Sequence, residues 1–311
     1  MHDSLDILLP IIALIALGLG LARAGIITPA GEAGLTQVVF YATTPALLFR
    51  AMIGATPAFG DLLLLGAYFL PCLLVYAVWV LLAPRRAGAS LTMAGLGAMG
   101  ASFGNTVLLG VPIVERLHGS AGLRLLVIIV SMHSALLFTL TTLLAEAERG
   151  RAQGGAALRA TARMMARNPM VLALAAGATC GGLGLRLPGP LDAALVLLGS
   201  ATVPLALLAV GAGLAGFRLS GQWAICMWVA AVKLAVLPLC VWTAGRFVFE
   251  LQPLALAVAT LVAGLPTGTN VYVLACRYQT GMVSAAGAVL LSTLAAALSL
   301  PILMVLIAQN H

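Results

Sequence analysis

The chain has 311 residues, of which 62% are hydrophobic and only 8% charged, with a formal net charge of +7. Soluble globular chains carry roughly 25% charged residues, so this composition excludes a soluble core and points to a protein that crosses the membrane many times. The basic excess lies mostly in short loops with no interleaved aromatics, which reads as membrane topology and argues against a nucleic-acid partner.

Ten apolar segments follow one another, each near the roughly 20 residues that a membrane helix needs. They cover 5–22, 33–53, 60–83, 91–117, 121–145, 169–186, 190–215, 220–248, 252–277 and 281–308. The first has Asp3 and Asp6 where a signal peptide has basic residues, so it is expected to be a retained membrane helix. Pro45 and Pro204, in the second and seventh, are expected to kink scaffold helices. The third to fifth and the eighth to tenth are long enough to tilt or break. Cys72, Cys180, Cys226, Cys240 and Cys276 all fall in apolar stretches without metal-ligand spacing. They read as buried small hydrophobes, and no metal site is predicted.

Arginine placement sets the orientation. With the N-terminus outside, the inner loops hold Arg23, Arg85, Arg86, Arg149, Arg151, Arg159, Arg163, Arg167, Arg218 and Arg277. The outer side holds Arg50, Arg116, Arg124, Arg186 and Arg246. That bias predicts a multi-pass membrane protein with both termini outside the cytoplasm. The basic stretch 146–168 reads as a cytoplasmic linker, or as a short interfacial helix through Arg159, Arg163 and Arg167. It divides the chain into two five-helix halves, 1–145 and 169–311.

The halves resemble each other. A shift of 159 superposes Pro10 on Pro169, Gly18 on Gly177, Gly25 on Gly184, Pro29 on Pro188 and Pro45 on Pro204. Farther on, Asn105 meets Asn270 at a shift of 165. An odd number of helices per repeat makes the second copy enter the membrane from the opposite side, the inverted repeat of secondary transporters. The expected fold is therefore all-α, with ten transmembrane helices in two inverted five-helix repeats.

The fourth segment carries "GNTVLLGVP" and the ninth "AGLPTGTNVYVLA". Gly104, Gly110 and Pro112 in one, and Gly264, Pro266 and Gly268 in the other, predict two helices broken and crossing near the midplane. Unwound backbone at that depth must be buried in protein or face a cavity. Breaks at matching positions point to the binding site, and free helix N-termini there favour an anion. Asn105, Thr106, Ser102, Asn270, Thr267 and Thr269 are the candidate substrate-binding side chains. The threonines and Ser102 serve equally well as helix caps or interhelical glue. Lys233 and His133 also lie at membrane depth and are candidates for ion or proton coupling. Lys233 reads equally as a snorkelling side chain, and His133 reads better as a neutral core histidine.

At these residues the chain resembles the auxin efflux carrier family in its bacterial branch. "NTVLLGVP" at 105–112, "GLP" at 264–266, "VLACRYQ" at 273–279 and "LPIIALIALGLGLARAGIIT" near the start carry the resemblance. It implies a scaffold of the first, second, sixth and seventh helices, through which some members dimerise. It also implies a mobile transport domain built from the other six. The implied function is elevator-type transport of small organic anions such as malonate or malate. Plant carriers place a proline immediately before the first asparagine, where this chain has Gly104.

The expectation is a secondary transporter for a small carboxylate or dicarboxylate, needing no cofactor beyond a coupling proton or sodium ion. Its partners would be the substrate anion and membrane lipids. The competing reading is a ligand-binding sensor or channel on the same fold. No HExxH, no GxSxG and no intramembrane carboxylate pair speaks for an enzyme.

Overall fold

A computed structural model describes residues 2–53, 59–87, 90–148, 163, 166–167, 169–185, 187–216 and 223–309. Most of the linker, including Arg149, Arg151 and Arg159, lies outside the described residues. The described chain is helical throughout, and no strand forms beyond a single two-residue bridge. Five of its helical stretches are long and apolar enough to cross a membrane: Gly60–Leu82, Thr106–Glu148, Gly189–Gly216, Trp223–Val248 and Met282–Gln309. Shorter apolar helices include Ile12–Arg23, Pro169–Gly182 and Pro253–Ala263. Cys72 and Cys226 are buried and the other three cysteines half-buried, all as free thiols.

Proline placement explains three of the four widened turns among the described residues. A proline lacks the amide hydrogen and crowds the carbonyl four residues back, so the preceding turn must widen or break. Three π-helical turns, Val39–Thr43, Thr106–Gly110 and Val232–Val236, each end two residues before a proline: Pro45, Pro112 and Pro238. The longest helix, Val111–Glu148, is interrupted at Gly119, whose φ of 58° and ψ of −153° only glycine adopts readily.

The chain forms two compact units. One comprises Met1–Asp61, Thr106–Ser131 and Met165–Gly216; the other comprises Leu62–Asn105, Met132–Met164 and Phe217–His311. In the first, helix His2–Arg23 packs on Thr202–Gly216, and Thr44–Ile53 packs on Pro169–Gly182. Both pairs approach through a glycine. A Cβ on Gly18 would stand 2.2 Å from the Leu208 carbonyl oxygen, and one on Gly177 would stand 2.4 Å from that of Phe49. The shift of 159 that carries Gly18 onto Gly177 also carries Phe49 onto Leu208, so the two contacts exchange places under the repeat. Gly25 and Gly184, matched by the same shift, both take positive φ. Two ion pairs, Arg50–Asp192 and Arg124–Asp61, lie within this unit.

In the second unit, Leu96, Met99 and Phe103 pack with Leu137, Phe138, Val271, Leu274 and Tyr278 in one apolar cluster. That cluster fixes the helix Leu91–Ser102 beside Asn270–Tyr278, bringing segments from both halves of the sequence together.

Candidate functional site

The helix Leu91–Ser102 begins at Ser90, whose side chain accepts the Met93 amide at 3.2 Å. The Glu148 carboxylate accepts the Leu91 and Thr92 amides at 3.2 and 3.0 Å. An anion at a helix N-terminus is stabilised by the free donors and the dipole there. At the other end the helix stops short of the next proline. Phe103 is extended, with φ −89° and ψ 112°, and helical structure resumes only at Thr106. The second interrupted segment runs as Pro253–Ala263, leaves the helix over Gly264–Thr269, and resumes as Asn270–Tyr278.

The two interruptions are hydrogen-bonded to one another. Gly104 and Thr267 form an antiparallel bridge. The Asn105 amide donates to the Pro266 carbonyl at 2.8 Å, and the Gly268 amide donates to the Phe103 carbonyl at 2.9 Å. The Thr267 hydroxyl donates to the Gly100 carbonyl at 2.8 Å, while the Thr267 amide donates to Ser292 Oγ at 3.0 Å. Gly268 permits this approach, because a Cβ there would stand 2.6 Å from two atoms of the Phe103 ring. Buried amides must find partners, and here they do. Phe103 donates to Met99, Gly264 to Thr260 and Leu261, and Leu265 to Val262, while Pro266 has no hydrogen to place.

A second amide at the crossing also has a side-chain acceptor. Gly104 donates to His133 Nε2 at 3.3 Å, and His133 Nδ1 lies 3.2 Å from the Tyr68 hydroxyl. A backbone N–H can only donate, so Nε2 is the bare nitrogen. The proton sits on Nδ1 and is donated to Tyr68. His133 and Tyr68 are both buried, and the imidazole meets the Phe103 ring edge-on at 4.6 Å between centroids. Lys233 is fully buried, in the π turn before Pro238, and its ammonium donates to the Ala263 carbonyl.

These contacts sort the predicted side chains. Ser102 is spent on the Ala98 carbonyl at 2.7 Å, and Thr267 is spent on the crossing itself. Among the described residues, the 7%-exposed Asn105 and the buried Thr106 make no side-chain hydrogen bond, nor do half-buried Thr269 and Asn270, and Thr269 does not cap the helix it precedes. Ser102, Gly104, Asn105, Gly264, Pro266, Thr267, Gly268, Thr269, Asn270, His133 and Lys233 all belong to the second unit; Thr106, Gly110 and Pro112 belong to the first. Tyr68, Phe103 and Ser292 were not evident from sequence. A tyrosine in "GAYFLP" and a serine in "LLSTL" are unusual in apolar segments, but nothing in their spacing ties them to a break.

Comparison with known proteins agrees with this architecture. A family model described as "Membrane transport protein" matches residues 4–304. A protein of Rhizobium meliloti (strain 1021) named "Putative malonate transporter" is 28% identical over 303 residues, covering 94% of this chain and 92% of that protein. The chain is a multi-pass membrane transporter for a small molecule rather than an enzyme, and it belongs to the membrane transport protein family, that of the auxin efflux carriers.

Proposed function

We propose that the protein is a secondary transporter that moves a small organic anion, a carboxylate or dicarboxylate, across the bacterial cytoplasmic membrane. The observation that carries this reading is the chemistry at the interrupted helices. The Asn105 and Asn270 side chains stand at the two breaks, next to a fully buried lysine, Lys233, that takes part in neither ion pair found among the described residues. Neutral donors at the ends of broken helices suit a carboxylate, which accepts several hydrogen bonds. Asn105, Thr269 and Asn270, all in the second unit, are the binding side chains in this reading. Ser102 and Thr267 hold the crossing in shape. The name of the Rhizobium meliloti relative makes malonate the first substrate to try.

In the same reading the ten apolar segments are ten spans in two inverted repeats. The segments 91–117 and 252–277 are the broken fourth and ninth helices, crossing at the midplane. The reciprocal contacts of Gly18 with Leu208 and of Gly177 with Phe49 support the repeat. The first, second, sixth and seventh helices form the scaffold through which two copies pair, and the remaining helices carry the anion in an elevator-type motion. Both termini face outside the cytoplasm. His133 is a neutral strut for the first break rather than a proton carrier, because its bare nitrogen is already committed to Gly104.

Purified protein in liposomes is expected to take up labelled malonate or a related dicarboxylate. Asn105→Leu combined with Asn270→Leu should abolish that uptake while the protein remains folded. Uptake unchanged by the pair removes the proposed site. Thermal stabilisation by malonate without any uptake favours the sensor or channel reading instead.

A further inference from the structure

Lys233 has a second consequence, independent of which anion is moved. Its ammonium meets the carbonyl of Ala263, the last residue of the helix Pro253–Ala263. The other carbonyls of that final turn are already taken: Thr260 and Leu261 accept from Gly264, and Val262 accepts from Leu265. A helix C-terminus carries roughly half a negative charge, so this lysine is countered by a helix end rather than by an acid. The ion pairs among the described residues, Arg50–Asp192 and Arg124–Asp61, do not involve it. The first break passes the same atom. A Cβ placed on Gly104 would stand 3.5 Å from Lys233 Nζ and 3.4 Å from the Val262 carbonyl oxygen.

Carbonyls freed at the ends of broken helices are what transporters use to hold a coupling sodium ion. We propose that Lys233 is a built-in cation, its ammonium holding the place at the Ala263 carbonyl end that a mobile sodium ion would otherwise fill. A tethered charge neutralises the helix end permanently and is never released on either side of the membrane. The protein therefore draws on no sodium gradient at this position, and the break is complete before any ion or substrate arrives.

The test needs no substrate, so its outcome is separate from that of the transport reading. The full chain in detergent is unfolded thermally in sodium chloride and in choline chloride of equal ionic strength. Wild type is expected to unfold at the same temperature in both. Lys233→Ala, which vacates the site, should unfold at a lower temperature in choline and recover part of the loss, saturably, in sodium or ammonium. Lys233→Met, which fills the space without a charge, should lose stability and recover nothing. Stabilisation of wild type by sodium over choline overturns the proposal, whether or not the variants fold. A Lys233→Ala protein indifferent to all three cations, or a Lys233→Met protein as stable as wild type, overturns it equally.

Discussion

His133→Phe isolates the polar role of the imidazole at the first break. Phenylalanine keeps a ring of similar shape against Phe103, where the present contact is edge-on at 4.6 Å and 77°. What it removes is the acceptor for the Gly104 amide at 3.3 Å and the partner of the Tyr68 hydroxyl at 3.2 Å. Both surviving groups are buried, but the Tyr68 hydroxyl keeps Cys72 as a partner, so the loss falls on the Gly104 amide and should be about 1–3 kcal/mol. Tyr68→Phe alone and the pair of substitutions complete a cycle whose coupling energy reports the His133–Tyr68 contact. Denaturant unfolding of the three variants in one detergent measures both quantities. If His133→Phe were as stable as wild type, the Gly104 amide would have no need of this acceptor, and the account of the first break would fail.

Glycines at the crossing should respond unequally. Gly268→Ala forces a Cβ against the Phe103 ring at 2.6 Å and should destabilise by about 1–3 kcal/mol or more, whereas Gly104→Ala, with nearest contacts of 3.4–3.6 Å, should stay close to wild type in thermal unfolding. Gly119→Ala meets no neighbouring atom within 4 Å, so any loss comes from backbone strain alone; about 1–3 kcal/mol is expected in the same assay. Glu148→Ala removes the acceptor for two amides at the start of the helix leading to the first break. Hydrogen exchange at Leu91 and Thr92 should accelerate, with exchange at Met99 little changed.

Most of the helical framework was legible from hydropathy, because each of the ten apolar segments is occupied by helix. The interruptions were legible too, since Gly104 to Pro112 and Gly264 to Gly268 gather helix breakers in the middle of apolar segments. The widened turns ahead of Pro45, Pro112 and Pro238 follow from the missing proline amide, yet sequence alone does not say whether a helix answers by bending or by widening. Less legible was the sorting of the polar residues. Ser102 and Asn105 looked alike as candidates, but a serine hydroxyl reaches the carbonyl four residues back in its own helix, and Ser102 does so. Asn105 stands past the helix end, with no such carbonyl beneath it.

The histidine was hardest to read because its purpose lies in a residue that is not there. Plant carriers of this family place a proline before the first asparagine, and a proline at that point brings no amide hydrogen to bury. This chain has glycine instead, and Gly104 therefore carries a donor into a dry crossing. The neighbouring amides of Phe103 and Asn105 are met by backbone carbonyls of Met99 and Pro266, but no carbonyl is aimed at Gly104. A side-chain acceptor is needed that is uncharged, aromatic enough to sit against Phe103, and held in one tautomer. His133, oriented by Tyr68, meets all three requirements. The departure from the family pattern at Gly104 and the buried histidine, His133, are thus one feature rather than two.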